Sequence, residues 1–208
     1  MWLTIAMLAW VPPQKGQEGP EAQRYAAIAL SALDVAFDPA ERPLFSGPHG
    51  RAQSPLQLLA IAGFESSYRR DVQLGEKRGK AGDSCLMQIV ISGNRRMHLT
   101  DLTYEWHGPP KSGEESSGLT WRDLVGEDTH TCFRAGLHEV RESFQICHDL
   151  SMYTSGQCNH DIKAKHREQR AKMHYLRHPA PVTDADAMRS NKESIDPDEL
   201  GTRNRDGI

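Results

Sequence analysis

The chain has 208 residues, 38% of them hydrophobic, with a net charge of -3 and a mean hydropathy of -0.63. That is enough apolar material for one ordinary core and hardly for two. Seven acids against four bases lie after residue 178 and the rest is balanced, so no basic surface for nucleic acid is offered.

Taken from the N-terminus, Met1 to Val11 reads as the apolar part of a secretion signal, although no basic residue precedes Lys15 and no small-residue cleavage site follows. It is short of the roughly 20 residues a membrane span needs. The alternative is an apolar arm packed on the domain. Residues 1–20 are therefore set apart as signal or arm, with Gln14 to Pro20 as a polar linker. Tyr25, Ile28, Ala29, Ala32, Val35 and Ala36 then recur at helical spacing and predict an amphipathic helix. Pro39 to Gln53 reads as loop, and Ser54-Pro55 supplies an N-cap and a first-turn proline, which predicts a second helix starting there. That helix carries Leu58, Ile61, Ala62 and Glu65 at i, i+3, i+4 and i+7, so a carboxylate ends an apolar stripe.

Gly75, Gly79 and Gly82 punctuate a charged segment before the apolar run Leu86 to Ile91, which suits a strand or an extended turn. Gly108 to Gly118 has the composition of a surface excursion. Phe133, Leu137, Val140, Phe144 and Cys147 predict the buried stripe of a further helix. Asn159 to His178 predicts the last one, with Ile162, Met173 and Leu176 as its sparse apolar contacts. Its basic stretch, Lys163 to Arg177, is expected to be a solvated face. The domain thus spans residues 21–178, and 179–208, poor in aromatics, is expected to be a disordered tail.

Four cysteines suit an oxidising compartment. Cys132 and Cys147 lie on one predicted helix, roughly 22 Å apart along its axis, and cannot pair unless it breaks. Cys147 and Cys158 flank a turn and form the expected pair, leaving Cys85 with Cys132. Ten histidines raise the question of a metal, but no His-Glu-x-x-His motif and no paired zinc spacing occurs, so neither metal nor organic cofactor is expected.

Glu65 is the residue with chemistry in its placement. An apolar stripe and a helix C-terminus both disfavour a charged carboxylate, which suits a general acid, and glycosidic bonds need such a proton donor because the departing sugar oxygen leaves poorly unprotonated. The chain carries, in order, Glu65-Ser66-Ser67-Tyr68, then Gly82-Asp83-Ser84-Cys85-Leu86-Met87-Gln88, then Met152-Tyr153-Thr154-Ser155-Gly156. This series resembles the soluble lytic transglycosylase domain and its goose-type lysozyme relatives. That family has a Glu-Ser pair ending a helix, a Gly-Leu-Met-Gln turn and a later Tyr-Asn-x-Gly, in the same order. Asp123 to Glu142, with Ala135-Gly136-Leu137, is similar to the helix between the second and third motifs, and the resemblance covers roughly Pro55 to Gly156.

The resemblance implies a predominantly helical α+β domain of lysozyme-like fold, with Glu65 as catalytic acid and Ser66, Met87, Gln88 and Tyr153 as substrate-binding residues. It implies a lytic transglycosylase that cuts the β-1,4 bond between N-acetylmuramic acid and N-acetylglucosamine and leaves 1,6-anhydro ends. Peptidoglycan strands are the expected partner, with a cell-envelope-spanning apparatus as a further candidate, and the protein is expected to be a monomer, periplasmic or secreted. Two positions depart from the pattern: Cys85 stands where glycine is expected and Thr154 where asparagine is. A cysteine would strain the turn if that glycine has a positive φ, and Thr154 lacks the amide's donors. Two alternatives accompany the reading: a hydrolytic lysozyme using Asp71 or Asp83 as second carboxylate, and a non-catalytic glycan-binding or secretion-apparatus adaptor.

Overall fold

The structure is a computed structural model that describes residues 1–46, 49–79, 83–89, 128–159, 162–181, 184–185 and 188. Seven helices order the described residues: α1 (Trp2–Trp10), α2 (Glu18–Phe37), α3 (Gly50–Ser66), α4 (Arg70–Gln73), α5 (Thr129–Cys147), α6 (Ser151–Ser155) and α7 (Ile162–Arg177). The expected helical predominance is present, whereas the β component reduces, among the described residues, to one antiparallel bridge between Ser84 and Ile89. The run from Leu86 is therefore a tight turn and not a strand through Ile89; residues 90–91 lie outside the described residues, as do the excursion at 108–118 and the start of the expected segment at 123–127.

Helix α3 is the hub, packed against α1, α2, α5 and α7. Everything from Ser54 to Gly63 along it is buried, so it is a core helix covered all round, more than the one-sided stripe its spacing predicts. It also begins earlier than Ser54-Pro55 suggests. Gly50 opens it because a Cβ there would fall on the Phe45 backbone carbonyl, and Ser54 Oγ is used differently from a cap, accepting from Leu44 N at 2.9 Å and donating to Gly50 O at 2.8 Å. Pro55 consequently sits inside the helix.

All six positions that predict the amphipathic helix are buried on α2, which starts at Glu18 and so takes in the end of the expected linker. The N-terminal segment is α1, whose Trp2, Leu3, Ala6 and Met7 pack into the same core against α2 and α3. Trp2 Nε1 donates to His178 O at 2.8 Å, which joins the two ends of the domain. On α5, Phe133, Leu137, Val140 and Cys147 are buried as the stripe predicts, with Phe144 half-buried.

The last helix faces inward differently from its expected apolar contacts. Ala164, Arg167, Ala171 and His174 form the buried side of α7, while Ile162 and Leu176 are each 65% exposed and Met173 is 45% exposed. The sparse apolar residues point away from the core because the inner face must carry an arginine toward α3, and alanines on either side make room for it. Of residues 179–208 only six are described; among them Ala180 and Met188 are partly buried against the core, so the tail is not wholly detached.

Both expected disulfides are formed, Cys85–Cys132 and Cys147–Cys158. A second tie holds the loop after α2: Glu41, 8% exposed, accepts from His138 Nε2 at 2.8 Å and Arg141 Nη2 at 2.9 Å on α5, and Arg134 pairs with Asp38 at 2.5 Å.

Candidate active site

Glu65 emerges where the buried run of α3 ends, and the chain must then turn sharply. Ser67 and Tyr68 both take left-handed backbone, with φ of 51° and 50°, which costs non-glycine residues on the order of 1 kcal/mol each. Tyr68 offsets this by folding back under the helix, fully buried, where its hydroxyl donates to Leu59 O at 2.7 Å. Gly63 makes that possible, since a Cβ there would lie 2.8 Å from the Tyr68 hydroxyl. Ser66 is buried by the same turn and donates to Ala62 O at 2.7 Å while accepting from Tyr68 N. Its hydroxyl is thus spent on helix termination.

The Gly-Leu-Met-Gln-like segment is a four-residue turn, Cys85 to Gln88, closed by paired backbone bonds between Ser84 and Ile89 at 3.0 Å each. Cys85 has φ 62°, the left-handed conformation that glycine would adopt freely, and its bridge to Cys132 on α5 holds it there. Met87 is fully buried over Gly136, where a Cβ would meet the methionine Cε at 2.6 Å. Met87 therefore supports the turn from below. Gln88 turns its amide back on the Cys85 carbonyl at 2.9 Å and lines the cleft.

Tyr153 on α6 reaches this turn and donates its hydroxyl to the Met87 carbonyl. Burial first, and the Glu65 carboxylate next, push its phenol well above the ordinary value, so it stays a protonated donor. Its helix is fixed by Ser143, whose Oγ accepts from Tyr153 N at 3.1 Å and donates to Asp149 O, and by Glu168, which accepts from Leu150 N at 2.8 Å. Burial holds the Glu168 carboxyl above its usual range. Thr154 Oγ1 bonds Ser151 O at 3.2 Å, so this hydroxyl serves the helix.

Glu65, Ser66 and Gln88 line one cleft of about 220 Å³, with Ser67, Arg69, Val72, Lys77, Arg78 and Gly79 around them. Among the described residues Glu65 is its only carboxylate, and Arg69, Lys77 and Arg78 ring it. Of the rival second carboxylates, Asp71 is paired with Arg69 at the rim, and Asp83 occupies the space that a Cβ on Gly79 would fill. Neither lines the cleft itself.

Sequence reasoning missed Arg167. Its Nε donates to Glu65 Oε1 at 2.8 Å, its Nη2 donates to the same oxygen, and its guanidinium lies 4.7 Å over the Phe64 ring. Arginine offers donors only, so Glu65 Oε1 is an acceptor here, and among the described residues Oε2 has no hydrogen-bond partner. The signal that could have found Arg167 is the spacing Ala164–Arg167–Ala171, small residues one turn either side of a long one on the inner face of a helix. Among the described residues no group of three or more His, Cys, Asp or Glu could hold a metal ion, and no helix is long and apolar enough to cross a membrane. In comparison with known proteins, no family model matches the chain, and neither a curated protein nor a solved structure matches it.

Proposed function

We propose that the chain is a peptidoglycan lytic transglycosylase acting outside the cytoplasm, with Glu65 as its catalytic acid and base. The observation that carries the reading is the meeting of three sequence-distant segments at one cleft. Glu65 and Gln88 line it, and Tyr153 is bonded to the Met87 carbonyl of the same turn. Arg69, Lys77 and Arg78 suit a glycan that carries acidic peptide branches, and the two disulfides suit a periplasmic or secreted setting.

In this reading the proton needed for cleavage sits on Oε2, the oxygen that Arg167 leaves open to the cleft. Glu65 gives that proton to the leaving oxygen between muramic acid and glucosamine as the C1–O bond breaks, and the substrate's own N-acetyl group stabilises the cationic sugar. The resulting carboxylate, the form held by Arg167, then takes the proton of the 6-hydroxyl as its oxygen closes on C1. The product is a 1,6-anhydro ring, and no water is consumed. Mass spectrometry of digested sacculi tests the reading: anhydro ends, each one water lighter than the hydrolysed counterpart, are expected. Reducing ends would make the chain a lysozyme, with Asp71 and Asp83 the next carboxylates to replace.

A second reading, a non-catalytic glycan-binding protein, is favoured by one observation, the double contact of Arg167 on Glu65 Oε1. It predicts sacculus binding without any fall in turbidity.

A further inference from the structure

A second, larger concavity of about 520 Å³ opens between α1, the end of α3 and α7, and it shares no lining residue with the Glu65 cleft. Its size falls in the range of small-molecule sites, roughly 300–1,000 Å³. Trp10, Phe64 and Met173 give it apolar walls, and Arg170, Arg177 and His174 give it polar ones, while no carboxylate lines it among the described residues.

We propose that this groove binds an oxyanion carried on an apolar group, a carboxylate or a phosphate ester attached to a ring or an acyl chain. The chain as a whole is slightly acidic, so a concavity whose charged lining, among the described residues, is two arginines runs against its average. Arg24, Arg69, Arg134, Arg141 and Arg167 each hold a carboxylate and Arg51 holds backbone carbonyls, whereas among the described residues Arg170 and Arg177 pair with no carboxylate. Arg170 instead rests over the Phe64 ring at 5.2 Å, which fixes its guanidinium while leaving its N–H donors to the groove.

His174 is the independent observation. It is 6% exposed, it lines the groove, and its Nε2 is buried without a hydrogen-bond partner. A buried polar nitrogen left unpaired is a standing cost that a ligand oxygen relieves. Its ring packs edge-on to Trp10 at 5.3 Å and against the His178 ring at 4.9 Å, so the unpaired nitrogen lies beneath the apolar wall and a ligand oxygen reaches it when these rings shift. The arginines would hold the anion, His174 would satisfy one oxygen, and Trp10, Phe64 and Met173 would cover the apolar part.

Isothermal titration of the full chain at low ionic strength with phenyl phosphate, benzoate, inorganic phosphate and benzyl alcohol tests this. Phenyl phosphate or benzoate is expected to bind more tightly than inorganic phosphate, with benzyl alcohol inert. The stronger of the two acids identifies phosphate or carboxylate as the preferred oxyanion. Arg170→Gln with Arg177→Gln should weaken that binding by at least about tenfold; Arg177 is exposed and Arg170 half-buried against Phe64, so circular dichroism of the variant checks that it is folded. Equal binding by that double variant, equal binding of benzyl alcohol, or no binding of either acid would overturn the proposal. Glu65→Gln should leave the affinity unchanged, so failure here and failure of the transglycosylase reading are separate results.

Discussion

Glu41 and Glu65 each meet an arginine from a distant helix, and the two contacts are wired differently. At Glu41 each carboxylate oxygen has its own donor, Oε1 from His138 and Oε2 from Arg141, and the side chain is almost closed off from solvent. At Glu65 both donors of Arg167 converge on Oε1, and the side chain is 20% exposed at the edge of a cleft. The same pair of residue types thus makes a clamp in one place and a held but half-engaged group in the other. The lesson is that what an oxygen is left to do matters more than the count of salt bridges.

The largest effect should separate the two glutamates outright. Glu65→Gln is expected to lower glycan cleavage on the order of a hundredfold or more while leaving sacculus binding near the parent's, with a loss of stability because the buried Arg167 guanidinium keeps an amide oxygen in place of its carboxylate. Near-native activity in that variant would remove Glu65 from the chemistry. Next comes the tie on the site side. Replacing Cys85 and Cys132 by alanine opens a bridge spanning 47 residues and should cost about 4 kcal/mol in denaturant titration, against about 3 kcal/mol for Cys147 and Cys158, 11 residues apart. Cleavage should fall further in the first pair than in the second, since the first bridge is part of the turn bearing Gln88 and the second reaches that turn only through Tyr153.

Glu41→Gln should differ from Glu65→Gln in its effect on cleavage, costing about 3 kcal/mol of stability with little change in activity per folded molecule. Burial alone would push the Glu41 carboxyl up; the bonds from His138 and Arg141 outweigh it and bring its pKa down to about 2 from 4.5. Stability from this group is therefore complete above about pH 4.5 and drains away as the pH falls toward 2. Unfolding titrations across that window should slope less steeply in Glu41→Gln than in the parent, and parallel slopes would show that the clamp is not the source. The smallest effect is expected at the tail: deletion after His178 removes the partial burial of Ala180 and Met188 and should lower the melting temperature by roughly 2–4 °C. A larger loss would mean that the tail docks through more than these two residues.

Much of this scaffold was legible in the chain because the signals were periodic and the constraints geometric. The spacing of Tyr25 to Ala36 found the buried face of α2; the length of α5 ruled out a bridge between its two cysteines, and the turn between Cys147 and Cys158 chose between the two pairings that remained. The start of α3 was not legible, because Ser54 has the chemistry of a cap and only the approach of the loop to Gly50 assigns it another task. The inner face of α7 was misjudged for a related reason: hydrophobicity ranks Ile162 and Leu176 above Arg167, and only the carboxylate at the end of α3 reverses that order. At the site the motif order singled out Glu65, Met87 and Tyr153, of which Glu65 lines the cleft, Met87 is buried in the turn and Tyr153 is bonded to that turn. The loss of the Ser66 hydroxyl to helix termination was not, since it follows from a left-handed turn with no glycine to announce it.

Both disulfides end on α5, one near its first turn and one at its last residue. That arrangement gives the molecule a timetable. A chain newly made in a reducing compartment could pack α2, α3 and α5 by burial and the Glu41 clamp alone, but Cys85 would be free to leave its left-handed conformation and carry Gln88 away from Glu65. Oxidation would then come last and finish the cleft. With the Cys147–Cys158 bridge kept and Cys85 and Cys132 replaced by alanine, the chain is accordingly expected to retain its helical circular-dichroism signal with cleavage diminished. On this account the redox state of the compartment decides when a fold that is already assembled becomes an active one.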